Sequence, residues 1–189
     1  MSDFRVHHQD YVAHTQKVRA FRGMKEIKNK IWKVNPLGYG EITYKGMLTL
    51  FNAFDVNEGD MFCDIGSGYG KLTTAYNDFF GEKSFGIEIA KEKYDIAKKI
   101  NKFKPKKYEF INDDYTNQFH ILDKCRFIYC NGVLFGETIK PLFKYMAERT
   151  TPCTLFHNNF EGRSIEWLNI EVCWADQVKF YKLITTNNR

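Results

Sequence analysis

Residues Asp64 to Gly70 read D-I-G-S-G-Y-G, and Glu88 follows eighteen positions after the last of these glycines, inside G-I-E-I. An apolar run, Met61-Phe62-Cys63, leads into the glycines, and Lys71-Leu72-Thr73-Thr74-Ala75-Tyr76 leads out of them. This order predicts a strand, a tight turn and a helix, the opening unit of an α/β sheet. Glycines at Gly66, Gly68 and Gly70 let the backbone turn sharply and let a ligand lie against bare main chain. An acid at the end of the next strand is placed to accept hydrogen bonds from two ribose hydroxyls.

Two nucleoside cofactors use this geometry. A dinucleotide site sets a pyrophosphate on the helix N-terminus and spaces its glycines G-x-G-x-x-G. Here the spacing is G-x-G-x-G, with Asp64 two residues before the first glycine. A carboxylate there repels phosphate and suits the ammonium and sulfonium of S-adenosylmethionine. The plainer alternatives are a glycine turn in an α/β domain without a ligand, and a divergent NAD site. Asp64 and Glu88 together favour S-adenosylmethionine.

Downstream of the glycines, strands and helices alternate. Strands are expected at 61–65, 84–89, 107–112, 126–131 and 153–158. Helices are expected at 70–80, 90–103 and 137–149, with Pro141 tolerated near a first turn. Two alternating segments, 169–174 and 178–186, read as a closing hairpin joined by an Ala175-Asp176-Gln177 turn. The sum is a doubly wound, Rossmann-like seven-stranded sheet whose last strand runs antiparallel. Upstream, Met47, Leu48, Leu50, Phe51 and Phe54 mark a helix over 44–54. Val18, Phe21, Met24, Ile27 and Ile31 mark an amphipathic helix over about 14–32. Two parts result: a basic helical segment with a lid loop, 1–43, and a main domain, 44–189.

The chain of 189 residues has room for one core, and 17 Phe and 11 Tyr supply it amply. No apolar run reaches the length of a membrane span, and the first residues lack a signal-peptide core. Cys63, Cys125, Cys130, Cys153 and Cys173 form no C-x-x-C pair. They read as reduced core thiols of an intracellular protein, nuclear or cytoplasmic and expected to act as a monomer. The histidines show no metal-ligand spacing, so no metal is expected. Residues 1–33 hold eight basic side chains against three acidic ones, an excess equal to the whole net charge of +5. A basic arm such as Lys17–Lys33 beside a catalytic domain is suited to nucleic acid. The second basic stretch, Lys91 to Lys107, reads as the solvated face of a helix.

Ligands of open α/β sheets bind at the carboxyl ends of the strands. After the third strand come Asp114 and Tyr115, an acid that can accept from an adenine amino group and a ring that can stack on the base. After the fourth comes Cys130-Asn131-Gly132-Val133-Leu134-Phe135. The chain has no [DN]-P-P-[FY] tetrad of the kind that methylates base amines.

Several of these segments together resemble one family. Tyr39-Gly40-Glu41-Ile42-Thr43 is similar to a Y-G-E-T-type loop. Phe62 to Gly70 is similar to a hydrophobic-D-L-G-S-G-x-G motif, Gly86-Ile87-Glu88 to G-x-E, and Asp114-Tyr115 to an acid-aromatic pair. Tyr129 to Gly136 resembles a V-N-N-F-A-F-G signature, and Val172-Cys173-Trp174 with Val178 to Tyr181 resembles a V-S-W…V-x-Y-Y strand pair. These are segments of the disruptor-of-telomeric-silencing (non-SET) histone lysine methyltransferases, and they run in order from residue 39 to 184. The departures are Ile42, Lys71, Gly132, Val133 and Phe180, where the family has threonine, glutamine, asparagine, phenylalanine and tyrosine.

The resemblance implies a class I methyltransferase that uses S-adenosylmethionine on a histone lysine, with nucleosomes as substrate. It implies that Tyr39, Gly40, Glu41, Asp64, Gly66, Gly68, Gly70, Lys71, Glu88, Asp114, Tyr115 and Asn131 hold the cofactor. Asn131, with Tyr129, Phe135, Trp174, Phe180 and Met47, would receive the lysine. Two other readings stay open on the residues alone: an RNA or small-molecule methyltransferase, and a cofactor-binding chromatin adaptor with little turnover.

Overall fold

A computed structural model of the protein describes residues 42–100, 107–132, 135–158, 166–172 and 175–185. The basic segment, most of the lid loop, Cys173 and Trp174 lie outside these residues. Seven strands form one sheet: β1 Met61–Ile65, β2 Ser84–Ile87, β3 Tyr108–Ile111, β4 Cys125–Cys130, β5 Cys153–His157, β6 Glu166–Val172 and β7 Ala175–Thr185. Their order is β3-β2-β1-β4-β5-β7-β6. The first five strands pair in parallel, whereas β7 runs antiparallel to both of its neighbours. The sheet is doubly wound, as the alternation of segments predicts. Its order reverses between β1 and β4, so their ends open a crevice where a ligand can sit.

The helices are α1 Tyr44–Asn52, α2 Lys71–Phe80, α3 Lys91–Ile100, α4 Phe119–Leu122 and α5 Lys140–Glu148. Strands buried on both faces split their side chains between two cores. Phe62, Phe127, Tyr129, Phe156 and Phe180 join Met47, Leu50 and Phe51 of α1 and Leu72 and Tyr76 of α2 on one face. Cys63, Ile65, Ile128, Cys130 and Leu155 join Leu122, Leu142 and Met146 on the other. The first core is rich in rings. Phe54 stacks on Phe127 at 4.5 Å and Phe62 on Tyr76 at 4.9 Å, pairs worth about 0.5–1.5 kcal/mol each beyond their buried area.

Thr43 caps α1, its hydroxyl accepting from the Gly46 N–H at 3.1 Å. The Thr43 N–H donates to the Glu171 carbonyl at 3.0 Å, and Ile42 bridges Val172. This draws α1 onto β6 so closely that a Cβ on Gly46 would lie 2.1 Å from the Glu171 oxygen. Only a residue without a side chain fits there.

Three local expectations are corrected. Ala175-Asp176-Gln177 is the opening of β7, with Ala175 paired to Val172, and not the hairpin turn. Residues 115–122 hold a short 3-10 turn, Tyr115–Asn117, and α4, neither of which was expected. Asp113 and Asp114 nucleate them: Asp114 caps the first turn, while Asp113 accepts from Asn117 at 2.9 Å and Gln118 at 2.7 Å. Lys93 of α3 is buried, although Lys91, Lys98 and Lys99 are exposed as expected of that face. Pro141 falls in the first turn of α5. Cys63, Cys125, Cys130 and Cys153 are buried free thiols. No helix among the described residues is long and apolar enough to cross a membrane.

Candidate active site

β1 carries Asp64 to the crevice, and the chain then turns through Gly66, Gly68 and Gly70, all at positive φ. Gly70 is the most constrained of the three. Its φ is +82°, and a Cβ there would meet Phe110 Cζ at 2.3 Å. Phe110 of β3 thus packs directly against the loop. The Gly66 and Ser67 N–H groups donate to the Ile87 carbonyl, tying the loop to the end of β2.

Glu88 follows directly. It is buried, its Oε2 accepting from the Gly68 N–H and its Oε1 from the Ala90 N–H, each at 2.8 Å. A carboxylate oxygen has two lone-pair sites, so each keeps one for a ligand hydroxyl. Glu88 therefore fastens the glycine loop and still presents two acceptors side by side. Asn112, just past β3, donates to the Glu88 carbonyl at 2.8 Å and fixes this turn from the other side. Beside it Ile89 is 45% exposed, a large apolar side chain at the mouth of the crevice. Sequence reading missed Ile89; its signal is an apolar residue directly after the ribose-type acid.

Asp64 is buried at 5% exposure. Burial, then the nearby Glu88 carboxylate, push its carboxyl up from 3.8 to about 8, and the Thr73 hydroxyl offsets part of this. A cation in the crevice would act against this shift by attracting the ionised form. The Ser67 hydroxyl is buried with no partner among the described residues. Ser67 and Thr73 crowd Gly86 of β2, where a Cβ would lie 2.8 Å and 2.7 Å from their oxygens. Lys71, at the start of α2, donates to the Ile42 carbonyl at 2.7 Å and so ties the glycine-loop helix to the end of the lid loop.

The expected base-binding pair divides. Asp114 spends Oδ1 on Thr116, accepting from its N–H and its hydroxyl at 2.9 Å each. Tyr115 turns inward, its hydroxyl donating to the Thr138 carbonyl at 2.5 Å, and burial raises that hydroxyl's pKa. Tyr115 thus anchors the segment after β4, and Ile89 offers the exposed apolar surface instead.

The expected lysine-facing residues also divide. Tyr129 stacks on Phe180 at 5.2 Å, in the same core as Met47. The Tyr129 hydroxyl is buried without a partner among the described residues, and burial and Asp64 raise its pKa. Phe135 lies on the other face, packed 3.2 Å from where a Cβ of Gly66 would stand. Tyr39, Gly40, Glu41 and Trp174 lie outside the described residues. Asn131 stands at the end of β4 and accepts from Asn158 at 2.7 Å. Asn158 was not foreseen, though it is the residue directly after β5, as Asn131 is directly after β4.

Paired acceptors, an apolar ledge and a buried carboxyl together suit a ligand with adjacent hydroxyls, a flat base and positive charge. An RNA methyltransferase from Salinibacter ruber, solved with S-adenosyl-L-homocysteine, shares the fold at a TM-score of 0.62 and 18% identity, over 79% of this chain and 95% of its own. A SAM-dependent methyltransferase from Aquifex aeolicus has a TM-score of 0.53 and 16% identity, over 74% of this chain and 89% of its own. TrmK from M. capricolum, solved with S-adenosyl-homocysteine, has a TM-score of 0.52 and 10% identity, over 79% and 70%. At these identities the likeness is one of fold, that of the class I S-adenosylmethionine-dependent methyltransferases. Among curated proteins none matches the chain. Residues 27–154, more than half of the chain, match the family described as histone methylation protein DOT1. The chain belongs to that family.

Proposed function

We propose that the protein is an S-adenosylmethionine-dependent lysine N-methyltransferase acting on a histone within nucleosomes. The observation that carries the cofactor half is Glu88, whose two oxygens each keep an open acceptor site beside the glycine loop. Asp64 supports it, because a buried carboxyl held protonated by its surroundings gains a counter-charge from a sulfonium and an α-ammonium. Family membership supports the histone half.

In this reading Glu88 takes the ribose hydroxyls, Ile89 and Asp114 meet the base, and Asp64 faces the positive end. Gly66, Gly68 and Gly70 give the ligand close access to main chain. Tyr39, Gly40 and Glu41 form the lid, whose root Lys71 holds through Ile42. Tyr115 acts by anchoring, through Thr138, the segment that leads from Asn131 past Phe135.

The bound cofactor supplies an electrophilic methyl group on a sulfonium whose leaving group is already activated. Positioning then provides much of the rate. The lysine must arrive neutral, and its pKa near 10.4 leaves about 0.1% in that form at pH 7.4, a cost of roughly 4 kcal/mol. Desolvation in an apolar channel disfavours the ammonium and lowers that cost, and the stacked pair Tyr129 and Phe180 is the candidate for one wall of it. In this reading the neutral lysine amine would be the nucleophile toward the cofactor's methyl group and would release its proton to solvent. The basic residues between Lys17 and Lys33 are suited to nucleosomal DNA.

Incubation with methyl-labelled S-adenosylmethionine and, separately, nucleosomes, free histones, RNA and DNA tests this. Label is expected in histone. Label in RNA would replace the reading with an RNA methyltransferase, and tight cofactor binding with no transfer to any substrate would leave an adaptor.

A further inference from the structure

β1, β4 and β5 run parallel and in register, Ile65 beside Cys130 and Cys130 beside His157. The next residues, Gly66, Asn131 and Asn158, therefore stand level on the rim of the crevice. Asn158 Nδ2 donates to Asn131 Oδ1 at 2.7 Å. That bond decides what the pair has left to offer. Asn131 keeps its amide donors, and Asn158 keeps an acceptor, Oδ1. This oxygen is buried and takes no hydrogen bond from the described residues. Register carries Asn158 to the level of Phe180 on β7, since His157 pairs with Tyr181. Phe180 in turn stacks on Tyr129. A lone uncharged acceptor thus sits at the edge of an aromatic wall, one strand beyond Asn131.

We propose that Asn158 Oδ1 accepts an N–H of the substrate lysine and so aims its lone pair at the methyl group; this rests on the lysine reading above. A neutral primary amine has one lone pair and two N–H bonds. The lone pair must face the methyl carbon, so the N–H bonds need acceptors on the side away from it. An amide oxygen serves without holding the ammonium form as a carboxylate would. Asn158 is therefore a substrate-binding residue that orients the amine and holds the ammonium less strongly than a carboxylate in its place would.

The test compares wild type, Asn158→Ala and Asn158→Asp. It reads cofactor affinity by calorimetry, kcat/KM on recombinant nucleosomes, and the pH profile of kcat/KM. Asn158→Ala is expected to keep S-adenosylmethionine affinity within about twofold and to lose about tenfold or more in kcat/KM. Asn158→Asp keeps Oδ1, requires Asn131 to turn its amide and donate to the second oxygen, and carries the test if the alanine variant does not fold. Its charge holds the ammonium, so the rising limb of the profile should move up by about one pH unit. Wild-type kcat/KM in Asn158→Ala, an equal loss of cofactor affinity, or an unmoved limb in Asn158→Asp overturns the assignment. If wild type itself makes no N-methyllysine, the functional reading falls and this inference with it; if wild type makes it and the variants behave like wild type, this inference alone falls.

Discussion

Replacing Asp64 with asparagine should stabilise the ligand-free protein by an amount that grows with pH. In the folded protein, burial and Glu88 raise the Asp64 carboxyl from 3.8 to about 8. The folded state therefore holds this proton more tightly than the unfolded chain does. The stability linked to that proton is fully present below about pH 4. It is lost as pH rises, at roughly 1.4 kcal/mol per pH unit, until the folded carboxyl itself ionises near pH 8. Between pH 5 and pH 8 the loss amounts to about 4 kcal/mol. Asparagine has the same shape and has no proton to lose. The stability difference between Asp64→Asn and wild type should therefore widen by about that amount across this range, roughly 10 °C in melting temperature for a chain of this size. Urea unfolding of both proteins without cofactor, at pH 5, 6, 7 and 8, measures it. A difference that stays constant within about 1 kcal/mol would refute the claim that Asp64 is an uncompensated buried carboxyl. The same variant should bind S-adenosylmethionine more weakly, because the counter-charge is gone. Gain in stability with loss of binding is what a ligand-directed carboxyl predicts.

Three further outcomes are expected. Glu88→Gln keeps the volume but replaces one acceptor oxygen with a donor, so cofactor affinity should fall on the order of 10–100-fold, from about 1.5–3 kcal/mol per charge-assisted bond; unchanged calorimetric affinity in a folded variant would remove Glu88 from the site. Gly46→Ala puts a methyl 2.1 Å from the Glu171 carbonyl oxygen and should cost about 1–3 kcal/mol in urea unfolding as α1 is pushed off β6; a wild-type midpoint would contradict that packing. Changing Arg19, Arg22, Lys25 and Lys28 to Gln should weaken nucleosome binding and flatten its salt dependence by up to about 0.9 in log–log slope for each phosphate that is no longer neutralised, with cofactor affinity unchanged; equal slopes would exclude DNA binding by this segment.

What the sequence made legible is what lies close together along it. The glycine loop, Asp64 and Glu88 stand out because strand, turn and acid occur within one βαβ unit. β1 falls at 61–65 as expected because a strand buried on both faces is mostly apolar, here broken only by Asp64. The roles that escaped depend on partners far along the chain. Gly46 reads as an ordinary helix position until β6, more than a hundred residues later, presses its Glu171 carbonyl against it. Tyr115 reads as a base-stacking ring, whereas its hydroxyl answers to Thr138. Asn158 becomes significant only beside Asn131, and that neighbourhood is set by strand register. Ala175-Asp176-Gln177 has turn-like composition and so reads as the end of the hairpin, whereas it opens β7, with Ala175 paired to Val172 of β6.

The central claim concerns the atom that receives the methyl group. Recombinant nucleosomes incubated with the protein and S-adenosylmethionine, then digested and mapped by tandem mass spectrometry, test it directly. The predicted result is added methyl on the Nε of histone lysine, absent when the cofactor is withheld and strongly reduced with Asn131→Ala. Histones left unmodified while methyl groups accumulate on RNA offered in the same reaction would contradict it.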